Sequence, residues 1–196
     1  MSEPSIYLAS SSPRRQELLR QLGISFEVVA PGIVEQPLAG ELANDYVLRI
    51  AAEKARCVAR LVRVRGGRAL PVVGADTEVV IGGKILGKPT NRDHGCGMLR
   101  QLAGRSHQVL TAICIVHQDR EDCVLSESRV TFGPMSDEEI ARYWESGEPI
   151  DKAGAYAIQG RAAAYIARLE GSYSGVMGLP LYDLATLLRK TGFSIP

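Results

Sequence analysis

Two arginines in the first turn of a predicted helix suggest that the chain binds an anion. Ser12 and Pro13 are typical of the residue that caps a helix and of the first residue within it, and Gly23 is a typical stop. Arg14 and Arg15 therefore fall where a helix carries about half a positive charge and four unpaired N–H groups, and cations there are disfavoured by roughly 0.3–1 kcal/mol. A bound phosphate would reverse this, because backbone amides and guanidinium groups both donate hydrogen bonds to it.

A lysine interrupts the apolar face of the next long helix, which we predict over residues 44–64. Val47, Ala51 and Val58 recur with Lys54 at spacings of three and four, so the four side chains share one face. A buried ammonium group needs an anionic partner, but a long side chain can also carry its charge outward to water. The sequence leaves both alternatives open.

Two carboxylates share one face of a strand predicted over residues 70–81. Strand alternation puts Asp76 and Glu78 about 6–7 Å apart on the same side. Two carboxylates on an apolar strand indicate a cation, a metal ion or a proton-transfer task, and the alternative is an exposed edge strand whose polar face meets water. Gly74 leaves room on this face for a ligand or for another backbone.

The charged residues considered together indicate a bound polyphosphate. Four cations lie at element ends or on a predicted core face: Arg14, Arg15, Lys54 and Lys88. Two acidic side chains, Glu35 and Asp76, could hold a divalent metal ion between them. A nucleoside triphosphate with its metal ion requires this combination of charges.

Helices and strands alternate along the chain, which predicts a mixed α/β fold. The remaining predicted elements are a strand over 6–9, an extended segment over 26–30, a helix over 94–102, a hairpin of strands 107–116 and 123–132, a helix from a Ser136–Glu139 capping box to Trp144, a glycine-rich loop and strand over 154–169, and a helix over 181–190. We expect one long, partly antiparallel sheet and treat residues 1–196 as a single domain.

Composition and missing motifs exclude several classes of function. A net charge of +1 argues against a surface that coats nucleic acid or anionic lipid. The sequence has no P-loop motif, no complete dinucleotide-binding fingerprint and no metal-binding pattern of histidines. The four cysteines form no C-x-x-C pair, so we expect reduced thiols. We recognise no signal peptide and no membrane-spanning run, so we expect a cytoplasmic protein.

Several long motifs, in order, resemble the Maf family of nucleoside triphosphate pyrophosphatases, and the match runs essentially end to end. The motifs are L-A-S-S-S-P-R-R-Q-E-L-L, A-x-E-K-A, G-A-D-T, G-K-P, S-D-E-E-I, S-G-E-P-x-D-K-A-G-A-Y-x-I-Q-G and G-S-Y-x-x-V-x-G-L-P. The resemblance implies an elongated mixed sheet flanked by helices, two-lobed with a central cleft, similar to the inosine triphosphatase fold. It also implies hydrolysis of a nucleoside triphosphate to the monophosphate and pyrophosphate, a divalent cation (Mg²⁺ or Mn²⁺) and a homodimer.

The same resemblance implies roles for individual residues. Asp76 would be the proton acceptor that activates water, and Glu35 would hold the metal ion together with Asp76. The implied substrate-binding residues are Ser10, Ser12, Arg14, Arg15, Lys54 and Lys88.

Three positions in the sequence indicate which base the nucleotide substrate carries. Arg14, Thr77 and Gln159 resemble the subgroup that acts on dTTP and UTP, whereas the subgroup that acts on 7-methyl-GTP has P-W-R, S-D-Q and S-E-G at these places. A cationic methylated guanine suits an aromatic face and a carboxylate, while the neutral edge of uracil or thymine can be complemented by a glutamine amide. We therefore expect dTTP and UTP as substrates, together with modified pyrimidine triphosphates that present the same edge.

Two other functions are weighed against this enzyme. A nucleotide-binding fold could serve a regulatory protein of cell division, a septum-formation inhibitor without significant catalysis, and the basic stretch 49–68 could bind nucleic acid. The presence of Asp76, Lys54 and Lys88 together favours the enzyme, and the basic stretch lacks the interleaved aromatic residues on which bases stack. We expect a small-molecule nucleotide as the partner, with no nucleic acid and no membrane.

Overall fold

The computed structural model describes residues 3–195, which form one mixed sheet flanked by helices. The strands are β1 (Ile6–Leu8), β2 (Phe26–Val28), β3 (Val72–Ile81), β4 (Lys84–Ile85), β5 (Ser106–His117), β6 (Arg120–Phe132) and β7 (Ile166–Glu170). The helices are α1 (Pro13–Gln21), α2 (Ala43–Val64), α3 (Arg92–Leu102), α4 (Asp137–Glu145), α5 (Tyr173–Met177) and α6 (Leu181–Lys190). The strand order is β2-β1-β3-β5-β6-β7, with β4 beside β3, which confirms the expected mixed α/β fold.

A gap in the sheet opens along one edge of β3. On this edge β1 pairs with β3 only at Val72 and Val73, and β4 pairs only at Val80 and Ile81. On the opposite edge β5 pairs with β3 along almost its whole length. Residues 74–78 are therefore paired with β5 along one edge and with no strand of the described residues along the other. Polar side chains on this segment can contact a ligand in the gap while the segment stays paired with β5.

Helix α2 packs directly on the face of β3 that carries Gly74. A Cβ atom at Gly74 would overlap the carbonyl oxygen of Ala51 and would lie 2.7 Å from the backbone nitrogen of Ala55. Gly74 thus makes room for a helix backbone rather than for a ligand. This close approach brings Lys54 of α2 over the strand.

The hydrophobic core lies in two halves, one toward each end of β3. At the β1 end, α1 and α6 pack on one face of the sheet. Helix α2 packs on the other face from Val72 to Val80, so it contacts both halves. At the β4 end, α3 and α4 pack against β5, β6 and the loops that follow α4. Because β3 and β5 run through both halves, they fix the distance across the cleft between them.

The segment after α4 contains less strand than predicted. The strand expected within residues 154–169 is confined to β7, and the residues before it form two 3₁₀ turns at Ala153–Ala155 and Arg161–Tyr165. Gly154 and Ala155 have φ angles of 67° and 59°, which no strand accommodates. These residues instead form a folded loop that reaches the cleft.

A disulfide links the two strands of the β5–β6 hairpin. Cys114 and Cys123 face each other in the register of the hairpin, with Cα atoms 4.1 Å apart, and a disulfide bond joins their sulfur atoms. The expectation of four reduced thiols is therefore wrong for this pair, while Cys57 and Cys96 are free. The prediction failed because spacing along the chain does not show which residues a hairpin places opposite one another.

None of the helices in the described part of the chain combines the length and the apolar composition that crossing a membrane requires. The longest of them, α2, has 22 residues and carries charged side chains along much of its length.

Candidate active site

Every predicted site residue lines a single cavity of about 570 Å³ at the gap beside β3. Its walls are the β1–α1 loop, the middle of β3, the loop after β4, the loop after α4 and the end of α5. The predicted residues are Ser10, Ser12, Arg14, Arg15, Glu35, Lys54, Asp76, Thr77, Lys88 and Gln159. The cavity also contains three charged residues that the sequence analysis did not count among the site residues, Glu78, Asp151 and Lys152.

Lys54 lies between two carboxylates. Its Nζ donates to Asp76 Oδ1 at 2.8 Å and to Glu35 Oε2 at 2.6 Å, and both Lys54 and Asp76 are 5 % exposed. Of the two alternatives for this buried ammonium group, the anionic partner is therefore correct. Asp76 Oδ2 remains buried without a hydrogen-bond partner among the described residues. A buried carboxylate oxygen without a donor is costly, so it points to a group that the substrate brings.

Glu78 adds a third carboxyl group to this part of the cavity. Burial raises the pKa of Glu78 to about 8, the negative charge of Asp76 adds to the rise, and Lys54 opposes it. Its Oε2 atom is also buried and has no partner in the described structure. Strand alternation had already placed Glu78 on the face of Asp76, and its burial shows that this face does not meet bulk water.

Arg15 organises the other face of β3. Its Nε donates to the carbonyl oxygen of Gly178 at 2.8 Å, Nη1 to Ser10 Oγ at 3.2 Å, and Nη2 to Thr77 Oγ1 at 3.1 Å. Burial lowers the pKa of Arg15, while the charges of Asp76 and Glu35 raise it. Three of its donor groups are thus satisfied by the protein, so Arg15 fixes the wall of the cavity as well as its charge.

Three other cations in the cavity carry no neutralising partner. Among residues 3–195, Arg14 and Lys88 show no hydrogen bond or ion pair from their side chains, and Lys152 Nζ donates only to the carbonyl oxygen of Ile150 at 3.1 Å. Burial lowers the pKa of both Arg14 and Lys152, and repulsion from a neighbouring arginine lowers each further. Like charges held together without a counter-ion indicate an anionic ligand.

The N-terminus of α1 opens into the same cavity. Pro13 is the first helical residue, and the Ser12 hydroxyl makes no capping hydrogen bond, although Ser12 occupies the predicted cap position. Instead, the backbone N–H of Ser12 donates to Ser10 Oγ at 3.2 Å. The first-turn amides and the Ser12 hydroxyl therefore remain available for an anion.

The site suits a divalent cation that arrives with its substrate. No three His, Cys, Asp or Glu side chains in the described residues are close enough to form a metal cluster. Mg²⁺ and Mn²⁺ prefer oxygen ligands, and Mg²⁺ commonly binds through one or two carboxylates and the phosphates of a nucleotide. The carboxylate of Asp76 and the half-exposed carboxylate of Glu35 are donors of the required type.

Comparisons with known proteins show which family this chain resembles over most of its length. A dTTP/UTP pyrophosphatase of Burkholderia lata is 52% identical over 194 residues, covering 95% of this chain and 92% of the relative. One of Alkalilimnicola ehrlichii is 53% identical over 188 residues, covering 95% and 93%. The solved Ham1 protein of Staphylococcus aureus, 13% identical with a TM-score of 0.54 over 95% of this chain and 98% of its own, shares the fold alone. A family model described as Maf-like protein matches residues 5–191, and the chain therefore belongs to the Maf-like protein family.

Proposed function

We propose that the protein is a nucleoside triphosphate pyrophosphatase that hydrolyses dTTP and UTP, and modified pyrimidine triphosphates with the same edge, to the monophosphate and pyrophosphate. One observation carries the proposal: among the described residues, the buried, unpartnered oxygen of Asp76 shares a cavity with three cations that form no ion pair. The names of the relatives support the same activity.

The triphosphate would bind to the cations that the protein leaves free. Arg14, Lys88 and Lys152 would contact phosphate oxygens, and the first turn of α1 would add backbone donors. The loops of Lys88 and Lys152 are tied by a hydrogen bond from Gly154 N to the carbonyl oxygen of Gly87 at 2.8 Å. The two lysines therefore act as one unit, while Arg15 and Lys54 shape the site.

Asp76 would accept the proton of the attacking water. Lys54 holds Oδ1, so Oδ2 is the atom free to take the proton as the water oxygen bonds to the α-phosphorus. The bond from that phosphorus to the bridging oxygen then breaks, and pyrophosphate leaves with the electron pair. Lys54 is a positioning residue in this step, since it fixes which carboxylate oxygen faces the substrate.

Asp76 and Glu35, with the phosphates of the substrate, would hold the divalent cation. When bound, the cation would neutralise phosphate charge and polarise the phosphoryl group. Lys54 already neutralises part of the charge of these two carboxylates.

Gln159, Thr77 and Arg14 would select the base. The Gln159 side chain is exposed to the cavity and makes no hydrogen bond within the described residues, so its amide can donate to and accept from a uracil or thymine edge. Thr77 is held by Arg15 and by Thr111, whose Oγ1 is 3.2 Å from Thr77 Oγ1. A fixed hydroxyl and a free amide give the pocket a neutral, polar wall, which suits a pyrimidine better than a cationic purine.

The test is the identity of the products and of the preferred base. Purified protein with Mg²⁺ or Mn²⁺ is expected to release pyrophosphate, and not orthophosphate, from dTTP and UTP, and to act more slowly on 7-methyl-GTP. Faster hydrolysis of 7-methyl-GTP would contradict the proposed base. Tight binding of dTTP without turnover would instead favour the regulatory nucleotide-binding protein.

A further inference from the structure

The carboxylate of Glu148 lies next to the turn that carries Gln159, and both of its oxygens accept hydrogen bonds from other residues of the chain. Its Oε1 accepts a hydrogen bond from the Tyr143 hydroxyl at 2.6 Å, and its Oε2 accepts one from the backbone N–H of Arg161 at 2.8 Å. A longer bond, 3.3 Å, joins Oε1 to the N–H of Ala162. The carboxylate thus binds the free amides at the start of the second 3₁₀ turn, where negative charge is favourable.

Tyr143 holds the chain on the other side of Gln159, at Ala157. Its hydroxyl oxygen accepts a hydrogen bond from the backbone N–H of Ala157 at 3.2 Å while the hydroxyl proton is donated to Glu148. Burial and this hydrogen bond to Glu148 raise the pKa of Tyr143, so the phenol stays protonated and remains a donor. The linked pair therefore attaches to both ends of the segment 157–162.

Gly160 packs directly against the carboxylate of Glu148. A Cβ atom at Gly160 would overlap the carboxylate oxygens of Glu148, so a larger residue would displace them from the amides that they bind. The φ angle of Gly160 is −108°, so backbone conformation does not itself require glycine here. Since Gly160 N also donates to the carbonyl oxygen of Ala157 at 3.0 Å, the backbone on both sides of Gln159 is fixed.

We propose that Glu148 and Tyr143 form a clamp that positions Gln159 and so sets the selectivity of the enzyme for its base. The proposal rests on the proposed role of Gln159 in base recognition. Neither clamp residue lines the cavity, whereas Ala157, Ile158 and Gln159 do. An amide discriminates between bases only when its backbone is held, because a mobile amide can adjust its donor and acceptor to either pattern.

Two clamp variants test the proposal through the ratio of kcat/KM for dTTP to that for dCTP. Both bases are pyrimidines, but thymine presents an acceptor at C4 and a donor at N3, whereas cytosine presents a donor at C4 and an acceptor at N3. We expect Glu148→Gln and Tyr143→Phe each to lower the ratio about tenfold, mainly through a higher KM for dTTP. Glu139→Gln is the matched control, because Glu139 also accepts a backbone N–H, that of Ser136 at 2.8 Å, but lies outside the cavity.

A double variant separates the clamp from a general effect on the fold. If Glu148 acts through Gln159, then Glu148→Gln should lower the ratio no further in a Gln159→Ala background. An equal further loss there, or an unchanged ratio in both clamp variants, would overturn the clamp. If Gln159→Ala itself leaves the ratio unchanged, base recognition by Gln159 is wrong and the clamp loses its purpose. Should Glu148→Gln fail to fold, Tyr143→Phe, which removes a single hydroxyl, carries the test.

Discussion

Lys54 shows how a single residue can serve both the fold and the site. Its sequence pattern revealed an ammonium group on a core face, but it did not reveal the partner, because Glu35 comes from an irregular loop whose path cannot be read from periodicity. The structure places Lys54 between Glu35 and Asp76. The lysine therefore stabilises two carboxylates that would otherwise repel each other, and it leaves one Asp76 oxygen free.

We predict that Lys54→Met lowers the free energy of unfolding by about 3 kcal/mol, because it leaves the buried Asp76 without a counter-charge. Adding Asp76→Asn should restore a large part of that loss, since the unpaired charge is then gone. Urea unfolding of the single and double variants measures this, with Lys84→Met on exposed β4 as the control. If the loss of unfolding free energy in the double variant equalled the sum of the losses in the two single variants, the two residues would not interact.

At the scale of elements, the site depends on the gap beside β3 and on the close packing of α2 against that strand. Both elements were predicted, the helix with Lys54 on its apolar face and the strand with Asp76 and Glu78 on one side, but their contact was not. The gap itself was not predicted, because it arises from where β1 ends and β4 begins. The 3₁₀ turn that follows Gln159 was missed for a related reason: its first amides bind Glu148, whose position only the folded chain reveals.

We expect Gly74→Ala to destabilise the protein by about 2 kcal/mol, because the new methyl group would meet the backbone of α2. Gly97→Ala is the comparison, since Gly97 lies within α3 with open space around its Cβ position. That substitution should be neutral or stabilising by about 0.5–1 kcal/mol. Thermal or urea unfolding of both variants measures these effects. If Gly74→Ala were as stable as Gly97→Ala, the close contact between α2 and β3 would be refuted.

At the scale of the whole molecule, the two core halves and the cleft between them follow from one shared pair of strands. The motif order predicted this architecture, whereas the Cys114–Cys123 link was not foreseen because it depends on the hairpin register. The homodimer expected from the resemblance stays a prediction. In the core half at the β4 end, His107 is buried against Phe132 and Tyr156, and its Nδ1 has no partner in the described structure.

His107 should lower the stability of the fold in mild acid, whereas Glu78 should raise it, because a pKa of about 8 lets the folded chain keep a proton that the unfolded chain releases. Burial lowers the pKa of His107 to about 4 from an ordinary 6.5, so between these values the unfolded chain takes up a proton that the folded chain refuses. Stability from this group is complete above pH 6.5 and is lost as the pH falls toward 4, by about 2 kcal/mol between pH 7 and pH 5. Urea unfolding at both pH values isolates the contribution of His107. From pH 7 to pH 5, the change in the free energy of unfolding should be about 2 kcal/mol more favourable to the fold in His107→Gln than in the wild type. His94→Gln, whose histidine is exposed, should match the wild type.

In the proposed reaction Asp76 takes the proton while fixed cations hold the triphosphate, and a pair of measurements on one variant separates these two roles. Pyrophosphate release from dTTP and equilibrium binding of dTTP are compared between the wild type and Asp76→Asn, both with Mg²⁺. The variant should bind dTTP within a few-fold of the wild type but turn it over about 10²–10⁴-fold more slowly, because an amide cannot accept the proton. Turnover by Asp76→Asn at the wild-type rate would contradict the account.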